Sequence, residues 1–222
     1  MKLTLRDKVL IDDLALSHVL SRDQMLELGY FGSVTRVNTR LRELAREGFV
    51  LPLETPFFSQ HLYACGKLAN DVVSSRVSKL LSARSASPRF LQHALAVTNV
   101  RIALQKRGMA EWWAEQELWR KLGGIEIRPD GLARLQVPIF IEVDMGHVSP
   151  AKFQAKLLAY AALATSGECK SLYEFSDFRV LTVTTGPLRA KRLRRLLPPD
   201  SGFSHLAQTF EEVGAAKVSS WS

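Results

Sequence analysis

Arg128-Pro129-Asp130-Gly131 and, further along, Ile141-Glu142-Val143-Asp144 frame a short apolar run at 137–141. A run of that length predicts a buried strand, and side chains on a strand alternate between its two faces. Glu142 and Asp144 therefore share a face at the strand's end, beside the turn that presents Asp130. Lys156-Leu157-Leu158-Ala159-Tyr160 follows in a predicted helix. Hard divalent cations such as magnesium take oxygen ligands and keep several waters, so carboxylates gathered in one small volume suit phosphodiester chemistry.

Outward from that stretch, strands alternate with helices. A helix over 90–106 comes first, and Trp112-Trp113-Ala114-Glu115 reads as a short strand that feeds residues 116–121. Two further strands surround 125–128 and 132–141. A helix at 151–164, a β-branched strand at 179–185 and a basic helix at 188–197, stopped by Pro198-Pro199, complete the region. This alternation predicts an α/β (α+β) domain with a mixed sheet flanked by helices over residues 88–200. Residues 201–222 carry no signal and are expected to be a C-terminal tail.

Residues 1–84 read differently, as three short helices and a wing. The first helix covers 9–20, Ser21 opens the second and Ser33 caps the third. In the third helix Val34, Val37, Leu41 and Leu44 form an apolar stripe. Rotation by 100° per residue puts Thr35, Asn38, Thr39, Arg42 and Arg46 on a second face, with Ser33 and Arg36 at its start. Arginine and asparagine bond base edges bidentately, while serine and threonine hold phosphates, so this face suits a major-groove reader. A solvated surface is the competing reading. Strands from Gly48 to Pro52 and over 61–64, with a turn at 54–59, give helix, helix, helix, wing, the order of a winged helix-turn-helix. A helix at 66–81 follows. Small, turn-prone residues at 82–88 then mark the expected domain boundary.

Composition sets the outer limits. With 222 residues and 46% apolar content the chain is long enough for one large or two small cored domains. Thirty basic against 22 acidic residues give a net charge of +8, which fits a polyanionic partner. Cys65 and Cys169 lie far apart, which argues against a disulfide framework and a structural zinc site. Neither a signal segment nor an apolar stretch of about 20 residues is present, so a soluble cytoplasmic protein without membrane contact is expected.

His93 with Val97-Thr98-Asn99, Trp113-Ala114-Glu115-Gln116-Glu117-Leu118, Pro129-Asp130-Gly131, Ile141-Glu142-Val143-Asp144-Met145-Gly146 and Lys156-Leu157 with Tyr160 occur in that order. Together they resemble the replication-relaxation family of plasmid and mobile-element proteins, in which a winged helix precedes a PD-(D/E)xK, restriction-endonuclease-like domain. The resemblance covers most of the chain. The family includes conjugative relaxases thought to nick one strand at a transfer origin with a metal-dependent site. Relaxases that act through tyrosine use paired histidines for their metal. His18, His61, His93, His147 and His205 include no His-x-His pair.

The resemblance implies Asp130 and Glu142 as primary ligands of magnesium or manganese and Glu115 as a third carboxylate, with Glu117 its rival. The class usually carries lysine two residues after the second acid, and here that position is Asp144. Lys156 is the candidate replacement, delivered from the following helix. Tyr160 lies one turn on and shares its face. The bland reading of both is ordinary helix surface or core edge. Asp144 is either an extra metal ligand or a partner for Lys156, and His93 braces the carboxylates, touches a phosphate or is structural. Trp112, Trp113 and Trp119 read as core rather than as base-stacking platforms. Arg189, Lys191, Arg192, Arg194 and Arg195 either follow a DNA backbone or form a solvated face.

Double-stranded DNA is the expected partner, with other mobilisation or replication proteins and an oligomer open. Two functions compete: a metal-dependent nicking endonuclease, and a winged-helix regulator whose nuclease-like domain has lost catalysis and serves as scaffold or dimer surface. A protein-interaction adaptor is a weaker third.

Overall fold

The protein is described here by a computed structural model, which covers residues 2–73, 87–197 and 199–218. The chain divides into two compact units, one running to Ile102 and taking in Val218, the other spanning Ala103–Lys217. Among the described residues, no helix is long and apolar enough to cross a membrane.

In the first unit, α1 (Leu5–Ser17), β1 (Leu20–Ser21), α2 (Arg22–Glu27) and α3 (Val34–Arg46) precede β2 (Val50–Leu53) and β3 (Leu62–Cys65). The three strands form an antiparallel sheet in the order β1-β3-β2. The three helices and the last two strands follow the order the sequence predicts, whereas β1 is not predicted and falls at the end of the expected first helix. Helix α1 begins earlier than the apolar pattern implies because Thr4 and Asp7 form a reciprocal capping box. Ser21 and Gln24 do the same for α2, and Ser33 accepts from the Arg36 amide of α3 at 3.3 Å. Val37, Leu41 and Leu44 of α3 are buried against Leu10, Leu14, Leu20, Met25 and Val50, whereas Val34 is 49% exposed.

Of the helix expected at 66–81, a 3-10 turn at Lys67–Asp71 is seen, and 74–86 lie outside the described residues. Most of the expected boundary at 82–88 lies there too. The units part within α4 (Pro88–Gln105). Much of this helix belongs to the first unit, because Gln24 donates its amide to Leu95 O (2.8 Å) and to Asn99 Oδ1 (2.7 Å).

Asp7 is fully buried and joins α1 to α3. Its carboxylate accepts from Arg40 Nε at 2.9 Å and Nη2 at 2.6 Å, and from the Thr4 amide at 2.7 Å. Burial pushes its pKa up, but the bonds to Arg40 and Thr4 outweigh it and hold the carboxyl at about 2, below its ordinary 3.8. A depressed carboxyl stabilises the fold above its unfolded pKa, and that contribution disappears as pH falls through the folded value. At about 1.4 kcal/mol per pH unit, it is worth roughly 2 kcal/mol at neutral pH. In urea unfolding followed by circular dichroism, the advantage of the natural protein over Asp7→Asn should be full at pH 5 and fade toward pH 2. An advantage of equal size at both values would remove the linkage.

The second unit is built on a five-stranded mixed sheet in the order β10-β9-β8-β7-β4. Strands β8 (Ile139–Asp144), β9 (Arg179–Thr184) and β10 (Ser204–Thr209) run parallel, while β7 (Gly131–Arg134) and β4 (Glu111–Ala114) are antiparallel to their neighbours. The single strand expected over 132–141 is therefore two. Pro138, which has no amide hydrogen and a fixed φ, lies in the connection between them. The expected tail from residue 201 instead supplies edge strand β10 and the short helix α9 (Phe210–Val213). The polar composition of that strand hides it, and pairing with β9 in full register creates it.

Helices α5 (Glu115–Leu118), α6 (Pro150–Ser166), α7 (Cys169–Tyr173) and α8 (Pro187–Arg194) accompany the sheet, together with a separate hairpin of β5 (Arg120–Leu122) and β6 (Ile125–Ile127). Phe140 of β8 packs among the rings of Tyr160, Tyr173, Phe175 and Phe178. Leu157 and Leu163 of α6 and Val180 of β9 are buried in the same core. This packing fixes α6 over β8, and so fixes which α6 residues meet the strand's carboxylates.

Candidate active site

The β7–β8 hairpin brings the acids together. Gly131 pairs with Ile141, so the residue before it, Asp130, falls opposite Glu142. The Asp130 amide continues the ladder to Ile141 O at 2.9 Å, and its Oδ2 accepts from the Val143 amide at 2.6 Å. Asp130 thus substitutes its side chain for the ladder acceptor that the chain loses as it turns away. Pro129, having no amide hydrogen, leaves no donor stranded there.

Glu142 is 2% exposed and both its oxygens are engaged from α6. Lys156 Nζ forms an ion pair with Oε2, and the Tyr160 hydroxyl donates to Oε1 at 2.7 Å. Lys156 and Tyr160 are one helical turn apart, and the rigid aromatic core behind them sets their height over the strand. Burial raises the Glu142 pKa, and the ammonium of Lys156 counters that rise without reversing it; the Asp130 charge adds to it. Burial works against the Lys156 charge, yet Glu142, then Asp130 and Glu115, hold its ammonium protonated well above the ordinary lysine range. The Tyr160 phenol is raised far above its ordinary value by burial and then by Glu142. All three carboxylates are therefore felt by one ammonium.

These side chains line a cleft of about 360 Å³ together with Glu115, Glu126, Ile127, Arg128 and Ala159. Glu115 stands at the start of α5 and is ion-paired with Arg128. Glu117 is occupied elsewhere: its Oε2 accepts from the Ala114 amide at 2.8 Å and caps α5. Of the two acids, Glu115 lines the cleft and Glu117 does not. Among the described residues, no group of three or more histidine, cysteine or acidic side chains is placed to hold a metal ion. Asp130 and Glu142 form a two-carboxylate donor set, which suits a magnesium-type cation that keeps its waters and draws further oxygens from a phosphate.

Asp144 belongs to a different network. Its carboxylate accepts from Thr184 Oγ1 at 2.8 Å and from Arg189 Nε at 2.8 Å and Nη2 at 3.1 Å, and Arg189 also donates to Val148 O. Burial pushes this carboxyl up, but Arg189 and Thr184 bring it below its ordinary value. Of the two roles open to Asp144, the partnership with Lys156 is not formed and the residue does not line the cleft; it pairs with Arg189, because the end of β8 faces β9 and the start of α8. Arg189 is correspondingly removed from the cations expected to follow a DNA backbone. Arg192 and Arg195 are exposed, as is Lys191, while Arg194 donates to Ala207 O at 2.7 Å.

The second face of α3 is at the surface. Thr35, Arg36, Thr39, Arg42 and Arg46 are exposed and Asn38 is half-buried. Arg42 Nε donates back to Asn38 O at 3.2 Å, and Arg46 meets Glu47 at 3.4 Å, an exposed contact of little energetic weight. Arg40 is turned inward to Asp7 and Glu43.

The family model for replication-relaxation matches residues 11–177, well over half of the chain and all the acids of the cleft. The chain belongs to the replication-relaxation family. Membership suggests a role in plasmid replication or mobilisation. No curated protein and no solved structure matches.

In this replication-relaxation protein, two of the motif residues, His93 and Asn99, lie in the first unit. Asn99 receives the Gln24 amide, and His93 lies on α4 and does not line the cleft. Trp112 covers Gly131, and Trp113 packs on the core under Arg134. Trp119, expected in the core, is 53% exposed. Sequence reading missed Arg128 and Glu126 as cleft residues. The only available signal was Arg128 preceding Pro-Asp-Gly directly.

Proposed function

We propose that the protein is a metal-dependent DNA endonuclease of the relaxase type, nicking one strand at an origin of transfer or replication. A winged helix formed by the first unit would select a double-stranded site through Thr35, Arg36, Asn38, Thr39, Arg42 and Arg46, with Arg192 and Arg195 adding backbone contacts. One observation carries the reading: Lys156 reaches across from α6 to Glu142. It supplies the ammonium that the strand lacks, since Asp144 occupies the usual lysine position.

Asp130 and Glu142 would hold magnesium or manganese, with Glu115 across the cleft. When bound, the cation polarises the scissile phosphate and lowers the pKa of an attacking water. Asp130 is fixed for this by the Val143 amide, and Glu142 is oriented by Tyr160. The charged Lys156 faces the cleft, where an ammonium stabilises the negative charge that builds on the phosphate. Auxiliary mobilisation or replication proteins and a cytoplasmic setting fit this role.

The test is supercoiled plasmid carrying the protein's native locus, incubated with magnesium, manganese or EDTA. Open circles should appear only with metal and be absent with Asp130→Asn, a change that keeps an acceptor for the Val143 amide. Intact supercoil with metal, on plasmid the protein demonstrably binds, would overturn the reading. One observation favours a second reading, a silent DNA-binding regulator of plasmid replication or transcription: Lys156 and Tyr160 already satisfy Glu142 without a cation. The same intact supercoil is its expected result.

A further inference from the structure

Hairpin β5–β6 is joined by Gly123-Gly124, both at positive φ (54° and 87°), the two-residue turn whose twist matches the strands. Its register pairs Arg120 with Ile127 and Leu122 with Ile125. One face is inward: Leu122 and Ile127 are buried in the core with Leu118, and Arg120 lies over the Tyr173 ring. Alternation puts Trp119, Lys121, Glu126 and Arg128 on the other face, and all four are exposed. Continuing the register places Trp119 opposite Arg128, which lines the cleft, as does Glu126. From the other side, the Trp119 amide donates to Glu115 O at 3.2 Å, so the indole is also one turn of α5 from the cleft's third acid.

Folding does not explain an indole there. The face around it is polar, its neighbour Lys121 sits 5.9 Å above the ring, and a tryptophan 53% exposed on such a face contributes little to the core. Flat aromatic faces beside cations are what single-stranded nucleic acid uses, because any base stacks on a π surface while the cations follow the phosphates.

We propose that Trp119, with Lys121 and Arg128, is a stacking platform at the mouth of the cleft that holds an unpaired base of the strand whose phosphate enters the site. The substrate at the cleft is then single-stranded DNA, or duplex opened locally. This rests on the endonuclease reading for the identity of the strand. A base seated on the indole anchors the strand beside Glu115 and Arg128 and fixes which phosphate reaches Asp130 and Glu142. Trp119 is a positioning residue in this scheme and makes no contact with the reacting atoms.

The test is fluorescence anisotropy of the full chain with labelled dT12, a dT12 series carrying one abasic position, and a duplex of matched length, all in EDTA. Trp119→Ala should weaken dT12 binding about tenfold, Trp119→Phe should retain most of it, and duplex affinity should be unchanged. One abasic oligonucleotide in the series should reproduce the loss with the natural protein and show no further loss with Trp119→Ala. Equal dT12 affinity of the natural protein and Trp119→Ala, or no dT12 binding by the natural protein, would overturn the platform. Because EDTA prevents cutting, these results stand whatever the plasmid assay shows. Metal-dependent nicking with unaltered dT12 binding removes the platform alone, and stacking without nicking removes the endonuclease alone.

Discussion

Lys156→Ala should slow metal-dependent nicking by about a thousandfold while leaving plasmid binding intact. The lysine has two partners in succession on the proposed path. Without substrate it neutralises Glu142; with substrate it faces the phosphate on which negative charge develops. Removal takes away the second role entirely. The first is lost as well, leaving Glu142 buried beside Asp130 with burial favouring its protonated form, and a protonated carboxyl is a poor ligand for a divalent cation. Loss of the second role falls on the chemical step, and loss of the first on the cation binding that precedes it. Stability should change less: breaking a fully buried pair costs about 3–5 kcal/mol, but the lysine side chain is 42% exposed, which reduces the cost to roughly 1–2 kcal/mol. Lys156→Arg keeps the charge and should hold the melting temperature while recovering part of the rate. The measurement is the initial rate of open-circle formation beside a gel shift on the same plasmid. A rate for Lys156→Ala equal to that of the natural protein would show that the ammonium has no catalytic part.

Local chemistry explains which features were legible before the structure. The periods of α3 and α6 were readable because each has a buried stripe, and the caps at Ser21 and Ser33 because their bonds lie within three residues. Alternation along β8 correctly gave Glu142 and Asp144 one face. It did not show that they serve different networks, because Arg189 lies 45 residues further on and reaches Asp144 only through parallel pairing of β8 with β9. Glu115 and Glu117 were indistinguishable by spacing; the capping bond from the Ala114 amide separates them. Strand β10 escaped for the converse reason, since four of its six side chains are polar and its partner supplies the order. Trp119 was misplaced because tryptophan is usually buried on average, and composition alone does not reveal a residue on the solvent side of a two-stranded hairpin.

Gly131→Ala should be the most destructive single methyl in the second unit. Gly131 has no unusual φ; its constraint is space. A Cβ there would stand 2.1 Å from Trp112 Cζ2 and 2.3 Å from Cη2, well inside any non-bonded contact. Trp112 reaches it diagonally across the β4–β7 pair, in which Ala114 faces Gly131 and Trp112 faces Ala133. A planar indole has no flexible end to move aside, so the strain passes to the pairing of β4 with β7. The expected cost is near the upper end of overpacking, about 3 kcal/mol, or roughly 6–12 °C in melting temperature for a chain of this size. Activity should fall further than stability explains. Asp130 precedes the glycine and is set opposite Glu142 by the ladder that the Gly131–Ile141 pairing begins, and a displacement near 1 Å in a catalytic group can cost about a hundredfold. Trp112→Leu in the same chain should relieve the clash and recover melting temperature and nicking together, whereas Trp112→Leu alone should lose packing over the glycine. If Gly131→Ala melts with the natural protein, the indole is not where the packing puts it. If melting recovers in the double variant but nicking does not, the ring itself orients the Asp130 turn, and the glycine of Pro-Asp-Gly is required for the shape of the acid cluster rather than for the stability of the sheet.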